Sequence, residues 1–327
     1  MALSASHRLT GRAVVLCGLP VLLAGCSPLQ SALHPAGTDA SYMATLFWIM
    51  STAGFVIWAI VIGTVIYAVL GKRRPRSEKF ADRFIFVGGV VFPTVTLAAL
   101  LVIGLSLLPS WTEGDRPDLR VQVTAEQFWW RMAYELPDGS RVDTANELHL
   151  PVGAVAEFEL TSTDVIHSLW IPALGGKMDA IPGRTNRLRL EPTKPGVYRG
   201  VCAEFCGASH ALMAFPVVVH EPAAYAEWLA AEARPASADG SEAFIAAGCG
   251  ACHTVRGVSE AGAVGPDLTH LASRSTIAAG ILPNTRENLE AWLMTPEHFK
   301  PDARMPSFAS VGEADIRAIV DYLVTLR

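Results

Sequence analysis

The sequence predicts a three-part chain: an N-terminal two-helix transmembrane hairpin, then an all-β domain, then a small all-α domain. Three observations carry that expectation. Two uncharged apolar runs, 43–70 and 84–109, are 28 and 26 residues long. From Arg120 the text turns to short, β-branched or alternating segments separated by Pro and Gly. Beyond residue 240, a Cys-x2-Cys-His motif opens a segment that ends in helical periodicity.

The composition bounds the function. A chain of 327 residues has room for two modest domains beside membrane segments. Its apolar content of 51% and mean hydropathy of +0.32 are high for a wholly soluble protein, and the two runs account for it. The net charge of -5 argues against nucleic acid as a partner. All six cysteines can be placed without a disulfide: Cys17 and Cys26, Cys202 and Cys206, Cys249 and Cys252. Cysteine use of this kind points to cofactor chemistry rather than stapling.

At the N-terminus, Arg8 and Arg12 precede the apolar stretch Ala13 to Ala24, the pattern of a secretory signal over residues 1–25. The Leu23-Ala-Gly-Cys26 sequence resembles a bacterial lipobox, which implies cleavage before Cys26 and its lipidation on the outer face. An ordinary signal or an uncleaved anchor would leave Cys26 incidental. The region 40–110 follows, with helices expected over 43–70 and 84–109. About 20 residues cross a bilayer, so both runs span with tilt to spare. Pro93 and Gly88-Gly89 inside the second run are tolerated in membrane helices. The basic loop from Lys72 to Lys79, with Arg83, belongs in the cytoplasm. Both termini then lie outside, in agreement with the signal. The expected setting is the bacterial plasma membrane, crossed twice, with membrane lipid as one partner.

The segments Arg120–Thr124, Ala154–Leu160, Arg187–Leu190 and Phe215–Val219 read as strands of an antiparallel sandwich or barrel over 117–222. Within it lies Cys202-Ala-Glu-Phe-Cys206-Gly-Ala-Ser-His210-Ala-Leu-Met213. Two thiolates, an imidazole and a thioether form a soft ligand set suited to copper. One Cys too many for a mononuclear blue-copper site, the pair can bridge two copper ions, and His167 upstream supplies a second terminal nitrogen. A disulfide, a zinc half-site or a redox pair competes. Zinc gives Met213 no role, and a thioredoxin-like copper carrier would carry Pro where Gly207 stands.

These residues, with Ser162-Thr-Asp164-Val-Ile-His167-Ser, Lys177-Met-Asp179-Ala-Ile-Pro182-Gly183-Arg184 and Tyr198-x3-Cys202, resemble the CuA domain of cytochrome c oxidase subunit II over about residues 40–222. The resemblance implies a cupredoxin-like Greek key. It makes His167 and His210 terminal ligands, Cys202 and Cys206 bridging thiolates, Met213 a weak axial ligand and the Glu204 backbone carbonyl a further ligand. It also implies a magnesium ion at the subunit I border, touched by the Glu204 side chain and near Asp179. The aromatic run Phe128-Trp129-Trp130 resembles the electron-inlet cluster of the family, with Phe128 where many members have Trp. Packing is the commoner role for such a stripe, and this departure leans toward it.

Residues 223–239 read as a linker, helical over Ala223 to Ala233 and then a flexible joint. So short a joint reaches roughly 15 Å, which keeps the flanking domains neighbours. The Cys249-Gly-Ala-Cys252-His253 motif is a c-type haem attachment site, with Cys249 and Cys252 bonding the porphyrin and His253 ligating iron. Residues 240–327 resemble class I cytochrome c, including Gly265-Pro-Asp-Leu268. Met305 of Arg304-Met305-Pro306 is the expected second axial ligand, with Met294, His270 and His298 as competitors; Met-His ligation raises the potential. Ile316, Ile319, Val320 and Leu323 share a helical face that should pack near Phe244. His34, His149 and His220 read as surface or structural residues.

The combination resembles subunit II of a caa3-type cytochrome c oxidase. That implies electron flow from haem c to binuclear CuA and on to subunit I, where oxygen is reduced. It also implies subunit III as a partner, and cytochrome c or a quinol:cytochrome c reductase as donor. A CuA-bearing nitric oxide reductase and a membrane-tethered copper delivery protein are the alternatives; a chaperone has no evident use for the haem.

Overall fold

The computed structural model describes residues 28–71, 77–112, 116–236 and 239–327. The signal segment, Cys17, Cys26 and the basic core of the loop at 72–76 lie outside the described residues. The chain divides into two units, 45–117 and the remainder.

In the first unit, helix α1 (Thr38–Leu70) continues the apolar run, and from residue 45 to 70 its side chains are exposed all round. A helix that is apolar on every face and covered by no protein is built for lipid. The second span begins earlier than its apolar run, as α2 (Glu78–Phe86), because helical hydrogen bonding continues through Glu78, Lys79, Asp82 and Arg83. A π-helical turn (Val87–Val91) joins it to α3 (Phe92–Thr112). That turn sits one step before Pro93, which has no N–H to donate and whose ring would crowd the carbonyl four residues back. Among the described residues, two helices are therefore long and apolar enough to cross a membrane.

The second unit contains a β-sandwich of two five-stranded sheets. One runs in the order β3 (Arg141–Ala145), β2 (Trp129–Glu135), β1 (Leu119–Glu126), β5 (Ala156–Ser162), β8 (Asn186–Leu190). The other runs β4 (Leu148–Pro151), β10 (Ala214–His220), β9 (Gly196–Cys202), β6 (His167–Trp170), β7 (Lys177–Ala180). Period-2 alternation turns Val121, Val123, Phe158 and Leu160 inward, where they meet Leu169, Phe215 and Val217 of the facing sheet. The sandwich is not purely antiparallel: β1 pairs with β5, and β4 with β10, in parallel. Parallel neighbours need a crossover, and here the chain supplies it by switching sheets between the paired strands.

Helix α4 (Pro222–Glu232) begins with Pro at its first turn, where the missing N–H costs nothing. Its Trp228 stacks flat on His149 at 4.1 Å and meets Tyr134 edge-on at 5.2 Å, so this helix is part of the sandwich wall. The described part of the joint is tied rather than loose. The Ala236 N–H donates to the Arg256 carbonyl, and Arg256 donates to the Glu232 carbonyl at 2.6 Å.

Beyond it, short helices α5 (Glu242–Ala246), α6 (Arg286–Met294), α7 (Pro296–Phe299) and α8 (Glu313–Leu323) surround a second core. Ile316, Ile319, Val320 and Leu323 of α8 are buried, and Tyr322 meets Phe244 of α5 at 5.7 Å. The expected packing of the last helix on the first is present.

Candidate metal centres

Adjacent strands β6 and β9 place Leu169 opposite Cys202, which brings His167 and Cys202 to one end of the sandwich. The β9–β10 loop supplies Cys206, His210 and Met213. The Cys202 Sγ lies 3.9 Å from Cys206 Sγ and 3.8 Å from His167 Nδ1. Cys206 Sγ lies 3.6 Å from His210 Nδ1 and 4.0 Å from Met213 Sδ. The Glu204 carbonyl is 3.2 Å from Cys202 Sγ. Both cysteines are free thiols. His167, Cys202, Cys206 and Met213 are all buried.

The protonation chemistry of this cluster fits a cationic guest. The hydrogen bond with Cys206, together with His167 and backbone donors, holds the Cys202 thiol far below its ordinary range, while the resulting thiolate pushes Cys206 up. A soft cation bound to both sulfurs would displace the protons they carry. Five soft or imidazole donors and one carbonyl within reach of one another fit copper.

Asp164 completes the surroundings. Its Oδ1 accepts from His167 Nε2 at 2.8 Å, which leaves Nδ1 with its lone pair facing the sulfurs. Its Oδ2 accepts from the Gln127 N–H at 2.7 Å, and the Gln127 amide donates to the Cys206 carbonyl at 2.5 Å. The sequence signal for this role is the place of Asp164 three residues before His167, in a motif that names no partner for it.

The helical region holds a cavity of about 440 Å³, lined by Cys249, Cys252, His253 and Met305 among mainly apolar neighbours such as Leu268 and Leu293. His253 Nδ1 donates to the Pro266 carbonyl at 2.7 Å, so Nε2 is left as the free acceptor. Burial pulls the pKa of the ring below its ordinary value. Gly265 lies flat against this imidazole: a Cβ there would stand 2.6 Å from its Cε1. Two free thiols, a ligand-ready imidazole and an apolar slot fit a covalently held haem. Of the four residues weighed as its second axial ligand, Met305 alone lines this cavity. His270 is turned to the Arg234 carbonyl at 2.9 Å.

The other predicted residues fall as follows. Phe128 and Trp129 line the same cavity. Trp130 is fully buried, edge-on to His167 at 6.2 Å. The run thus reaches from one site to the other. Glu204 and Asp179 flank the Lys177 ammonium at 3.6 and 3.9 Å, and both carboxylates are partly exposed. Buried His149 and half-buried His220 stack on each other, joined at 2.7 Å, with Glu147 accepting from His149 at 3.0 Å.

A sandwich with a soft-ligand cluster, a helical region with a haem-type slot and two membrane-length helices define a membrane-anchored redox protein with external domains. Residues 131–221 match the family described as cytochrome c oxidase subunit II, periplasmic domain, and residues 237–327 match cytochrome c. Cytochrome c oxidase subunit 2 of Alkalihalophilus pseudofirmus is 33% identical, with 97% of each chain covered. That of Bacillus subtilis is 30% identical over 96% of this chain and 97% of its own. That of Bacillus sp. strain PS3 is 30% identical over 94% and 95%. The chain belongs to the cytochrome c oxidase subunit II family, fused to a cytochrome c domain of the caa3 kind. Membership implies copper and haem c as cofactors and subunit I as partner.

Proposed function

We propose that this chain is the electron inlet of a bacterial haem-copper terminal oxidase. It would sit in the plasma membrane with both redox sites on the outer side, residues 117–222 carrying copper and 240–327 carrying haem. When bound, haem c and a binuclear CuA centre supply one-electron chemistry, accepting electrons at the haem and delivering them through copper to subunit I, where oxygen becomes water. His167, Cys202, Cys206, His210 and Met213, with the Glu204 carbonyl, would hold the copper pair. Cys249 and Cys252 would hold the haem covalently, with His253 and Met305 on its iron.

The residues do the rest. Asp164 fixes the tautomer of His167, and Pro266 fixes that of His253. Burial of the sulfur cluster excludes water, and the sandwich holds the donors rigidly, which suits a site that must change little on reduction. Glu204 and Asp179 would meet magnesium at the subunit I border once Lys177 moves aside. Subunit III, and cytochrome c or a quinol:cytochrome c reductase as donor, complete the setting.

The observation that carries this reading is the presence of both sites in one unit, joined by the run Phe128-Trp129-Trp130. Electron paramagnetic resonance of the isolated complex tests it. Hyperfine structure from two equivalent, valence-sharing coppers, together with a c-type haem spectrum, is expected. Silent Cu(I) that exchanges with chelators would point to copper delivery instead.

A further inference from the structure

Three contacts from one short stretch of the cytochrome region land on supports of the copper cluster. Lys300 is buried, and its ammonium donates to the Phe128 carbonyl at 2.5 Å and to the Ala278 carbonyl at 3.1 Å. Next to it, the Pro301 carbonyl accepts from the Ser209 hydroxyl at 2.5 Å. Ser209 is fully buried and stands between Cys206 and His210 in the copper loop. Arg304 reaches Asp164 Oδ2 at 3.4 Å, on the same carboxylate that orients His167. Met305 follows directly. The stretch that presents Met305 to the haem cavity is therefore fastened at three points to the framework of the copper site.

The chemistry of these contacts is unlike incidental packing. A buried ammonium without acceptors is strongly disfavoured, and burial pulls the Lys300 pKa down to about 7. Its two acceptors are backbone carbonyls from the two sides of the junction. One is that of Phe128, whose side chain lines the haem cavity. Gly207, directly after Cys206, closes the gap from the other side. A Cβ there would stand 3.1 Å from the Phe128 ring tip and 3.0 Å from the Gln127 amide. Phe128 is thus in contact with the haem slot on one side and the copper loop on the other.

We propose that the segment from Lys300 to Arg304 is a clasp that holds the haem slot against the copper loop, with Ser209, Lys300 and Arg304 as positioning residues for electron transfer between the two centres. This rests on the electron-inlet reading above. The step it governs moves one electron: the haem iron goes from ferrous to ferric, the copper pair is reduced by one electron, and no bond forms or breaks. Arg304 adds a link from the Met305 loop to the His167 support, so that the ligand shells of both centres share one framework. Electron transfer between two centres slows as the distance between them grows, so a loosened clasp slows it.

The test uses the intact complex carrying Ser209→Ala, Lys300→Met or Arg304→Gln, with Arg286→Gln as the control, since Arg286 pairs with Asp321 on the surface. A light flash on an added ruthenium photosensitiser with a sacrificial amine donor reduces the haem, and copper reduction is followed optically. Ser209→Ala, Lys300→Met and Arg304→Gln should each slow the transfer several-fold, with the haem spectrum and the copper resonance unchanged, while Arg286→Gln leaves it alone. Hydrogen exchange on copper-free protein gives a second reading, independent of activity. Residues 276–280 and 300–305 should be protected in the wild type and lose protection in Ser209→Ala and Lys300→Met. Should Lys300→Met disturb the haem region, Ser209→Ala still decides, because it leaves that region's sequence intact. Unchanged transfer and exchange in variants with intact spectra, or free exchange of these segments in the wild type, would overturn the clasp. Absence of a two-copper resonance would instead strike the electron-inlet reading and leave the exchange result standing.

Discussion

Asp164 decides which nitrogen of His167 faces the sulfur cluster. Removing its carboxylate frees the ring to turn and leaves the Gln127 N–H unpaired. Asp164→Ala should therefore weaken copper binding by about 10- to 100-fold, the usual cost of losing a group that orients a metal ligand. Competition titration against a chelator measures it. Glu147 is a second informative residue. Burial alone would raise its pKa, but donors from His149 and from the Ser275 N–H and hydroxyl outweigh that and hold it below 4.5. A depressed carboxylate contributes stability that is present above its unfolded pKa and is lost as pH falls through the lower folded value. Acid destabilisation of the wild type below about pH 4.5 should thus be flattened in Glu147→Gln, in thermal melts followed by the haem band. An equal slope in both proteins would remove Glu147 from that role.

At the scale of elements, β9 and β10 set the geometry of the copper loop they join. Gly200 of β9 lies opposite Phe215 of β10, whose ring covers it and leaves no room for a Cβ. Phe215 in turn packs on Trp130 at 5.6 Å, beneath His167. Gly200→Ala should cost about 1–3 kcal/mol through overpacking, seen as a lower denaturant midpoint with unchanged slope. Much of this element scale was legible in the sequence. Period-2 burial marked β1 and β5, and helical spacing marked α8, because both signals are local. The soft-donor cluster was legible for the same reason: Cys202 ends β9, and Cys206, His210 and Met213 follow within one loop. The parallel pairing of β1 with β5 left no local trace, since pairing partners are chosen by the whole sheet. Nor did the contact of Lys300 with Phe128, 172 residues apart in the chain. A lysine in a polar stretch reads as a solvated surface residue until the fold buries it. The π-helical turn before Pro93 was only half legible. The proline announced an interruption, but not its form.

At the scale of the molecule, the short joint and the haem slot are, on the proposed reading, parts of a protein that carries its own electron donor. Both external regions are net acidic, -5 over 117–236 and -4 over 237–327 against +4 over 1–116, and the contacts between the two are mostly hydrogen bonds to backbone carbonyls. Exposed ion pairs weaken with salt, whereas buried contacts of this kind are screened much less. Turnover should accordingly survive ionic strength that would dissociate a separate carrier. The central claim is that electrons reach subunit I through this chain's own haem and copper. It is tested most directly by gas uptake of the membrane complex, purified through a tag on this chain and supplied with an artificial reductant. Rapid, cyanide-sensitive oxygen uptake without added cytochrome c is the predicted result, abolished when His253 is replaced by Ala. Nitric oxide consumption with little oxygen turnover, or oxygen uptake that proceeds unchanged without His253, would contradict it.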